Sequence, residues 1–345
     1  DTDFKVAPVI QRALEDRMEH GVFGYTSTDD QCNQVVADYY QKKYGCHVDA
    51  NWVVWVPGIV ASLSLAIRSL STQHQQVLTP DIVYPYFHTT PAAAGKQANH
   101  LAMTYAQNRV RIDIDALEKR NAQSARVMLF CNPQNPGGAI YTRDELRRID
   151  DYCEANNLVL VSDEIHADII LDKDKKHVPY LDVSIHALNN SIVLGAASKA
   201  FNVAGLACSW AVIANDDLRQ TFKKEMHGII SEINPFGYTA TLAALSQGDD
   251  WLAAMNRYLC GNRDYLLEEL NAIKGLQMLP LESTFLAWVD VSELKLEDPC
   301  AFFEAAGVGL SPGSNFNDTN FLRLNFGCAR SVLEEAVKRI KAALI

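Results

Sequence analysis

The stretch that decides the fold is SIVLGAASKAFN, residues 191–202, in which an apolar run leads directly into Ser198 and Lys199. The run 192–197 has the length and composition of a buried strand. A lysine placed directly after such a strand lies at the edge of a sheet, where its amine can form an imine with an aldehyde. The pair Ser-Lys means little by itself, because most lysines are solvated side chains.

Two upstream apolar runs also end in polar residues. The run 126–131 is followed by a turn that contains Asn135, and the run 158–161 is followed by Asp163. Helical patterns alternate with these runs, which predicts an α/β fold with a mostly parallel sheet and helices on both faces. Because ligands bind beyond the carboxyl ends of parallel strands, we expect these polar residues to share one site.

Local patterns predict the other elements. The predicted strands are Val53–Val56, 76–78, 210–214, 285–289 and Phe321–Asn325. The predicted helices run from Pro8 to Gly21, from about Val35 to Gly45, over Ile59–Leu70, over 142–155 with a capping box at Thr142, over 251–273, and from a cap at Ser331 to Leu344. The pattern changes near residue 248, so we expect a large domain over 1–247 and a smaller α+β domain over 248–345.

Composition restricts the class of protein. The net charge of −11 argues against binding to nucleic acid or to an anionic membrane surface. No apolar stretch is long enough to span a bilayer. The eight cysteines contain no C-x-x-C pair, which favours reduced thiols and a cytoplasmic location over disulfides or zinc. The chain begins at Asp1 rather than Met, so we expect an N-terminal segment to be missing.

The ordered motifs resemble the class I and II aminotransferases, pyridoxal 5'-phosphate enzymes of fold type I. The matching segments are Asn-Pro-Gly-Gly at 135–138, Ser-Asp-Glu at 162–164, Ser-Lys-Ala-Phe-Asn at 198–202 and Phe-Leu-Arg-Leu-Asn at 321–325. Shorter segments, at 20–25, 57–60, 251–263 and 283–288, are similar to the cystathionine β-lyase subgroup of the MalY and PatB kind. The resemblance covers essentially the whole chain and implies that the large domain binds the cofactor.

This resemblance implies roles for four central residues. Lys199 would hold pyridoxal phosphate as an imine and later remove the proton from the substrate's Cα. Asp163 would keep the pyridine nitrogen protonated, and Asn135 would donate to the phenolic oxygen. Arg323 would hold the substrate carboxylate, a bidentate task that suits a guanidinium.

Further residues would complete the cofactor site. The backbone N–H groups of Ile59 and Val60, at a helix start, would bind the phosphate. Tyr25 would reach the phosphate of the neighbouring subunit, which implies a homodimer with shared active sites.

The cofactor ring would be held by aromatic and imidazole side chains. Tyr84 would stack on the ring, although Tyr86 or Phe87 could serve instead. His166 would contact the same oxygen as Asn135. A metal site made of Asp163, Glu164 and His166 is disfavoured, because these residues are too close together at one strand end to converge on an ion without other ligands.

Three positions depart from the family pattern. Ala196 stands where a phosphate-binding serine is usual, Ala207 where many aminotransferases have a basic residue, and Asn317 where glycine is common. The family's substrate-capping loop would precede Asp1 and cannot be read. These departures leave substrate choice open.

The resemblance implies a carbon–sulfur β-lyase that acts on cystathionine or cysteine-type amino acids and yields pyruvate, ammonia and a thiol. An aminotransferase that passes the amino group to a 2-oxo acid is the alternative, since both reactions begin with removal of the Cα proton. A catalytically weak regulatory protein of the same fold is the third hypothesis.

Overall fold

Two principal β-sheets organise the computed structural model, which describes residues 1–71, 75–122 and 124–344. The helices are α1 (Pro8–His20), α2 (Asp30–Tyr44), α3 (Ile59–Leu70), α4 (Tyr86–Ala93), α5 (Ile114–Glu118), α6 (Arg143–Ala155), α7 (Ile185–Asn189), α8 (Asp216–Met226), α9 (Pro235–Gln247), α10 (Asp249–Asn271), α11 (Pro299–Ala305) and α12 (Arg330–Ala343). The strands are β1 (Val53–Val56), β2 (Gln76–Pro80), β3 (Gln97–Leu101), β4 (Met103–Thr104), β5 (Arg111–Ile112), β6 (Ala125–Cys131), β7 (Val159–Asp163), β8 (Ser191–Gly195), β9 (Ser209–Val212), β10 (Gln277–Met278), β11 (Leu286–Asp290), β12 (Ser311–Pro312) and β13 (Phe321–Asn325).

The larger sheet has seven strands in the order β1-β9-β8-β7-β6-β2-β3. Neighbouring strands from β8 to β3 are parallel, whereas β9 runs antiparallel to both β8 and β1. The expected mostly parallel sheet is therefore confirmed, with one reversed strand. Because β9 is reversed, β1 points the same way as β8, and the carboxyl ends of both strands lie at the same edge.

Burial on both faces explains the apolar texture of the central strands. Every residue of β7 and β8 is buried, as is expected where helices cover a sheet on both sides. Apolar clusters lie on each face, one including Phe130 and the other including Leu129, which alternate along β6.

Local signals fix several helix ends. Helices α1 and α2 end at Gly21 and Gly45, whose φ angles of 74° and 67° are in the left-handed region that glycine adopts easily. Thr142 and Glu145 form the predicted capping box at the start of α6.

The predicted cap of the last helix is wrong. Helix α12 begins at Arg330, after an N-cap at Ala329 that offers no side-chain acceptor, so Ser331 lies inside the helix. The Tyr258 hydroxyl, from α10, accepts a hydrogen bond from the backbone N–H of Arg330 at 2.8 Å. A tertiary contact therefore satisfies a backbone N–H at the start of α12, where a local side-chain cap was expected.

The smaller sheet is antiparallel, in the order β10-β11-β13-β12. Its apolar cluster includes residues of α10 and α12, and also Ala7 and Ile10 from the N-terminal part of the chain. The domain boundary at 247/248 stays a prediction. None of the helices in the described residues combines the length and the apolar character that crossing a bilayer requires.

Candidate functional site

The candidate site lies at the edge of the seven-stranded sheet where β1, β6, β7 and β8 have their carboxyl ends. The segments that follow these strands are residues 57–60, 132–138, 164–166 and 196–202. Four junctions far apart in sequence, three of them polar, are therefore brought to one edge, as expected for parallel strands.

Lys199 follows β8 and is partly buried. Its Nζ donates to Asp1 Oδ1 at 2.7 Å, and 28% of its side chain is exposed. Burial lowers the pKa of Lys199, the positive charge of Arg323 lowers it further, and Asp163 opposes both effects. A lowered pKa makes the neutral amine, which can act as a nucleophile or base, more accessible near neutral pH.

Asp163 is the last residue of β7 and is 4% exposed. Its Oδ1 accepts from the backbone N–H of Ile165 at 3.1 Å. Burial above all raises the pKa of Asp163 to about 7, with the neighbouring Glu164 charge adding to the effect. No salt bridge reaches this carboxyl among the described residues, so a bound cation would stabilise its ionised form.

Arg323, on β13, extends from the smaller sheet to the loop after β6. Its Nη1 donates to Asn135 Oδ1 at 3.1 Å, and its Nη2 to Ser311 Oγ at 3.4 Å. The guanidinium carbon lies 4.6 Å from the centre of the Phe316 ring. Burial lowers the pKa of Arg323 to about 10. Within the described part of the chain no carboxylate pairs with it, so it can bind an incoming one.

His166 lies beneath the same group of residues and is almost fully buried. Its Nδ1 has no hydrogen-bond partner among the described residues. Burial, reinforced by the charges of Lys199 and Arg323, lowers the pKa of His166 to about 3. The ring is therefore neutral near pH 7 and has a nitrogen free to contact a ligand.

Tyr84 is the aromatic residue of its segment that faces the site. Burial is the main cause of the raised pKa of Tyr84. Tyr86 and Asp163 raise this pKa further, and the charge of Arg323 lowers it. The Tyr84 and Tyr86 rings are 5.3 Å apart, but Tyr86 is 47% exposed. Phe87 is fully buried in an apolar cluster. The placement favours Tyr84 over the two alternatives.

The start of α3, at Ile59 and Val60, is open. No side chain caps this helix. The preceding Gly58 has a φ of 106°, which side-chain-bearing residues rarely adopt, and its N–H donates to Ser209 Oγ at 3.0 Å. An uncapped helix N-terminus is suited to an anion such as a phosphate.

Tyr25 is the predicted site residue that the single chain does not bring to the others. It is 97% exposed, in a segment without regular structure between α1 and α2. Its neighbours Val22 and Phe23 are also more than half exposed. Such a stretch of apolar side chains is typical of a surface that a partner covers.

The structure gives the burial or the backbone conformation of the three residues that depart from the family pattern. Ala196 is buried, and Ala207 has a left-handed φ of 49° after a short 3-10 helix. Asn317 has a φ of 64°, a conformation that asparagine tolerates better than most residues, so it can replace a glycine there. Glu164 is engaged elsewhere, since its Oε2 lies 2.8 Å from His177 Nε2.

The sequence patterns did not identify three residues that contact the site. Ser311 and Phe316 contact Arg323, and Asp1 contacts Lys199. Asp1 and Lys199 are 198 residues apart, and the contacts of Ser311 and Phe316 depend on the turn that joins β12 to β13, so no sequence pattern indicated them.

Comparison with known proteins agrees with this geometry. The family profile described as Aminotransferase class I and II matches residues 1–340. Cystathionine beta-lyase PatB of Bacillus subtilis (strain 168) is 31% identical, over 100% of this chain and 91% of PatB. The crystal structure of OvoB has a TM-score of 0.97 at 38% identity, covering 100% of this chain and 91% of that one. Cystalysin from Treponema denticola, whose crystal structure contains pyridoxal 5'-phosphate, has a TM-score of 0.95 at 25% identity, covering 100% and 89%.

The residues present fit pyridoxal phosphate. Asp163 is a buried carboxyl that no salt bridge reaches within residues 1–71, 75–122 and 124–344, which suits a protonated ring nitrogen. Over the same residues His166 Nδ1 has no hydrogen-bond partner, and the uncapped start of α3 suits a phosphate. The expected fold type and cofactor are confirmed, and the individual residue roles remain to be tested.

Proposed function

The chain belongs to the class I and II aminotransferase family, and we propose that within this family it is a pyridoxal phosphate-dependent carbon–sulfur β-lyase. Its substrates would be cystathionine or cysteine-type amino acids, and its products pyruvate, ammonia and a thiol. The observation that carries the proposal is that Lys199 and Asp163, at one edge of the larger sheet, lie close to Arg323, for which the described residues supply no carboxylate partner. The likeness to PatB over the full chain favours the lyase reaction over amino transfer.

Binding would place the substrate between two cationic groups. Arg323 binds the α-carboxylate through its two terminal nitrogens, and Asn135 and the Phe316 ring hold the guanidinium in place. Lys199 would serve the amino end of the substrate. The N–H groups of Ile59 and Val60 bind the phosphate.

Proton movement is the task of Lys199 and Asp163. When bound, pyridoxal phosphate supplies an aldehyde that links to the amino group and a ring that accepts the electron pair left at Cα. Lys199 Nζ would remove the Cα proton and hold it as an ammonium. Asp163 holds a proton at the ring nitrogen.

The remaining steps release the sulfur product. As the Cβ–S bond breaks, the electron pair left at Cα would form a Cα=Cβ bond, and Lys199 would return its proton to the departing sulfur, which leaves as a thiol. The three-carbon product hydrolyses in water to pyruvate and ammonia. Tyr84 covers the ring and limits access of water to it.

Turnover of cystathionine tests the proposal. The purified protein with pyridoxal phosphate should release pyruvate without any 2-oxo acid acceptor. Lys199→Ala should abolish both turnover and the cofactor's near-visible absorbance band, whereas Lys338→Ala, at an exposed side chain of α12, should change neither. Conversion that depends on an acceptor, without pyruvate, would favour the aminotransferase. A wild-type protein without the band would leave the regulatory alternative.

A homodimer is part of the proposal. In it, Tyr25 would complete the site of the partner subunit, which accounts for its exposure in the single chain. Mixing Lys199→Ala with Tyr25→Ala protein should restore about a quarter of wild-type activity, because half of the dimers would be mixed and each would have one intact site. Each variant alone should be nearly inactive. Failure to restore activity in a mixture shown to exchange subunits would contradict a shared site.

We also propose a cytoplasmic location. All eight cysteines are free thiols, as expected in a reducing compartment. Cell fractionation with an antibody against the protein would test this.

A further inference from the structure

Residues 1–4, which we call the strap, contact both the loop that carries Lys199 and the end of the strand that carries Arg323. The Asn202 amide makes two hydrogen bonds to the backbone of the strap. Its Oδ1 accepts from Thr2 N at 3.3 Å, and its Nδ2 donates to Phe4 O at 2.7 Å. A single side chain therefore binds the backbone of the strap at two points.

A second amide holds the strap from the smaller sheet. Asn325 Nδ2 donates to Asp1 O at 2.8 Å, and Asn325 Oδ1 accepts from Gly327 N at 2.8 Å. Gly327 O accepts from Asp3 N at 2.7 Å. Glycine is needed here, because a Cβ on residue 327 would lie 2.7 Å from Thr2 Cγ2.

Each asparagine lies a few residues after one of the two reactive residues, Lys199 and Arg323. Asn202 is three residues after Lys199 and has a left-handed φ of 56°. Asn325 is two residues after Arg323 on β13. The strap also contacts Lys199 itself, through Asp1 Oδ1 at 2.7 Å from Nζ. It therefore connects the loop that carries Lys199 to the strand that carries Arg323.

We propose that Asn202 and Asn325 are positioning residues, which act through the strap to set the separation between Lys199 and Arg323. This inference rests on the proposed function, in which Lys199 serves the amino end of the substrate and Arg323 its carboxylate. This link has little slack, because Asp1 O and Thr2 N, which bond to Asn325 and Asn202, belong to one planar peptide unit. A misplacement of about 1 Å between two groups that act on one small molecule is costly.

Three variants of the full chain, loaded with cofactor, test the proposal. Asn202→Gly removes the amide and retains easy access to the left-handed conformation. Asn325→Ala removes the second amide, and the double variant removes both. Asn215→Ala is the matched control, because it removes an amide that bonds to Leu218 N and Asn189 O at the start of α8, outside the site.

Two small amines of similar size serve as probes, and absorbance changes of the bound cofactor report their binding. One is 2-methylalanine, which has a carboxylate but no Cα proton to lose. The other is tert-butylamine, in which a methyl group replaces the carboxylate. We expect Asn202→Gly to weaken the first probe about tenfold and Asn325→Ala about threefold, the effects of two and one net hydrogen bonds. Binding of tert-butylamine should not change, and Asn215→Ala should affect neither probe.

The double variant distinguishes positioning from general damage. If both amides act through one strap, the double variant should lose about as much affinity for 2-methylalanine as Asn202→Gly alone, which is about tenfold. Independent effects would multiply to about thirtyfold. The proposal is overturned by multiplicative losses, by equal losses for the two probes, or by no loss. Because binding is the readout, the result stands apart from wild-type turnover of cystathionine, whose failure would instead overturn the lyase assignment.

Discussion

Replacing Asp163 with asparagine should stabilise the cofactor-free protein at alkaline pH and weaken the cofactor-bound one. The carboxyl is 4% exposed, and burial raises its pKa from 3.8 to about 7. An asparagine has nearly the same shape, can still accept from Ile165 N and never ionises. The substitution therefore removes the ionisation of a buried group with little change in packing.

The sign and size of the effect follow from the two pKa values. Between about pH 4 and pH 7 the unfolded chain loses the Asp163 proton while the folded chain keeps it. The unfolded state then binds fewer protons, so the free energy of unfolding falls as the pH rises. A difference of about three pH units, at 1.36 kcal/mol each, corresponds to about 4 kcal/mol lost by pH 8. The loss is absent below about pH 4, where both states are protonated.

Urea unfolding of the cofactor-free proteins between pH 4 and pH 8.5, at one protein concentration, measures this effect. The difference between wild type and Asp163→Asn should grow from near zero to about 4 kcal/mol in favour of the variant. His166, whose pKa is lowered to about 3, gives a pH dependence of opposite sign, but both proteins share it and it cancels in the difference. Asp151→Asn, at an exposed carboxyl, should show no such trend.

Added pyridoxal phosphate should reverse the order of stability, because only the wild-type carboxylate gains a cationic partner. A pH-independent difference between the cofactor-free proteins, or a variant that is less stable at pH 8, would refute the reasoning. Either result would mean that the buried carboxyl is already ionised without the cofactor.

Three further substitutions probe binding and stability. Arg323→Lys should raise KM for cystathionine roughly thirtyfold while the cofactor's absorbance band is retained, because a lysine cannot bind a carboxylate through two nitrogens; an unchanged KM in steady-state assays would contradict this. Glu282→Gln should lower the free energy of unfolding by about 3 kcal/mol in urea, since its carboxylate pairs with Arg109 Nε at 2.9 Å and accepts from Ile140 N at 2.7 Å; a loss below 1 kcal/mol would show that the charge adds little. Thr142→Ala should cost about 1 kcal/mol by the same measurement, and Thr142→Ser should recover most of it.

Much of the fold could be predicted because its signals are local. The bounds of β1 and α3 match the sequence prediction, since a β-branched run gives way at Pro57 and Gly58 to a run with helical composition. Strand β3 was missed, because its edge position leaves it largely polar and exposed. The reversal of β9 also has no local signal, since a short buried strand has the same apolar pattern whether it pairs parallel or antiparallel.

The candidate site was predictable to the extent that its residues follow strands. Lys199, Asp163 and Asn135 were expected together because parallel strands align their carboxyl ends, and the structure brings them to one edge. The contact of Phe316 with Arg323 could not be predicted, because it depends on the path of the turn between β12 and β13. The role of Tyr25 stays a prediction, since it depends on a second subunit.

The strap has a consequence for biosynthesis. Its hydrogen bonds join Thr2 to Asn202 and Asp1 to Asn325, pairs that are 200 and 324 residues apart. A ribosome that adds about 5–20 residues per second needs roughly 15 to 65 s to extend the chain from residue 1 to Gly327. During that time the strap lacks its partners on the smaller sheet. A protein stopped short of β13 therefore lacks both Arg323 and the contact of Asn325 with the strap, so an interrupted translation leaves the candidate site incomplete.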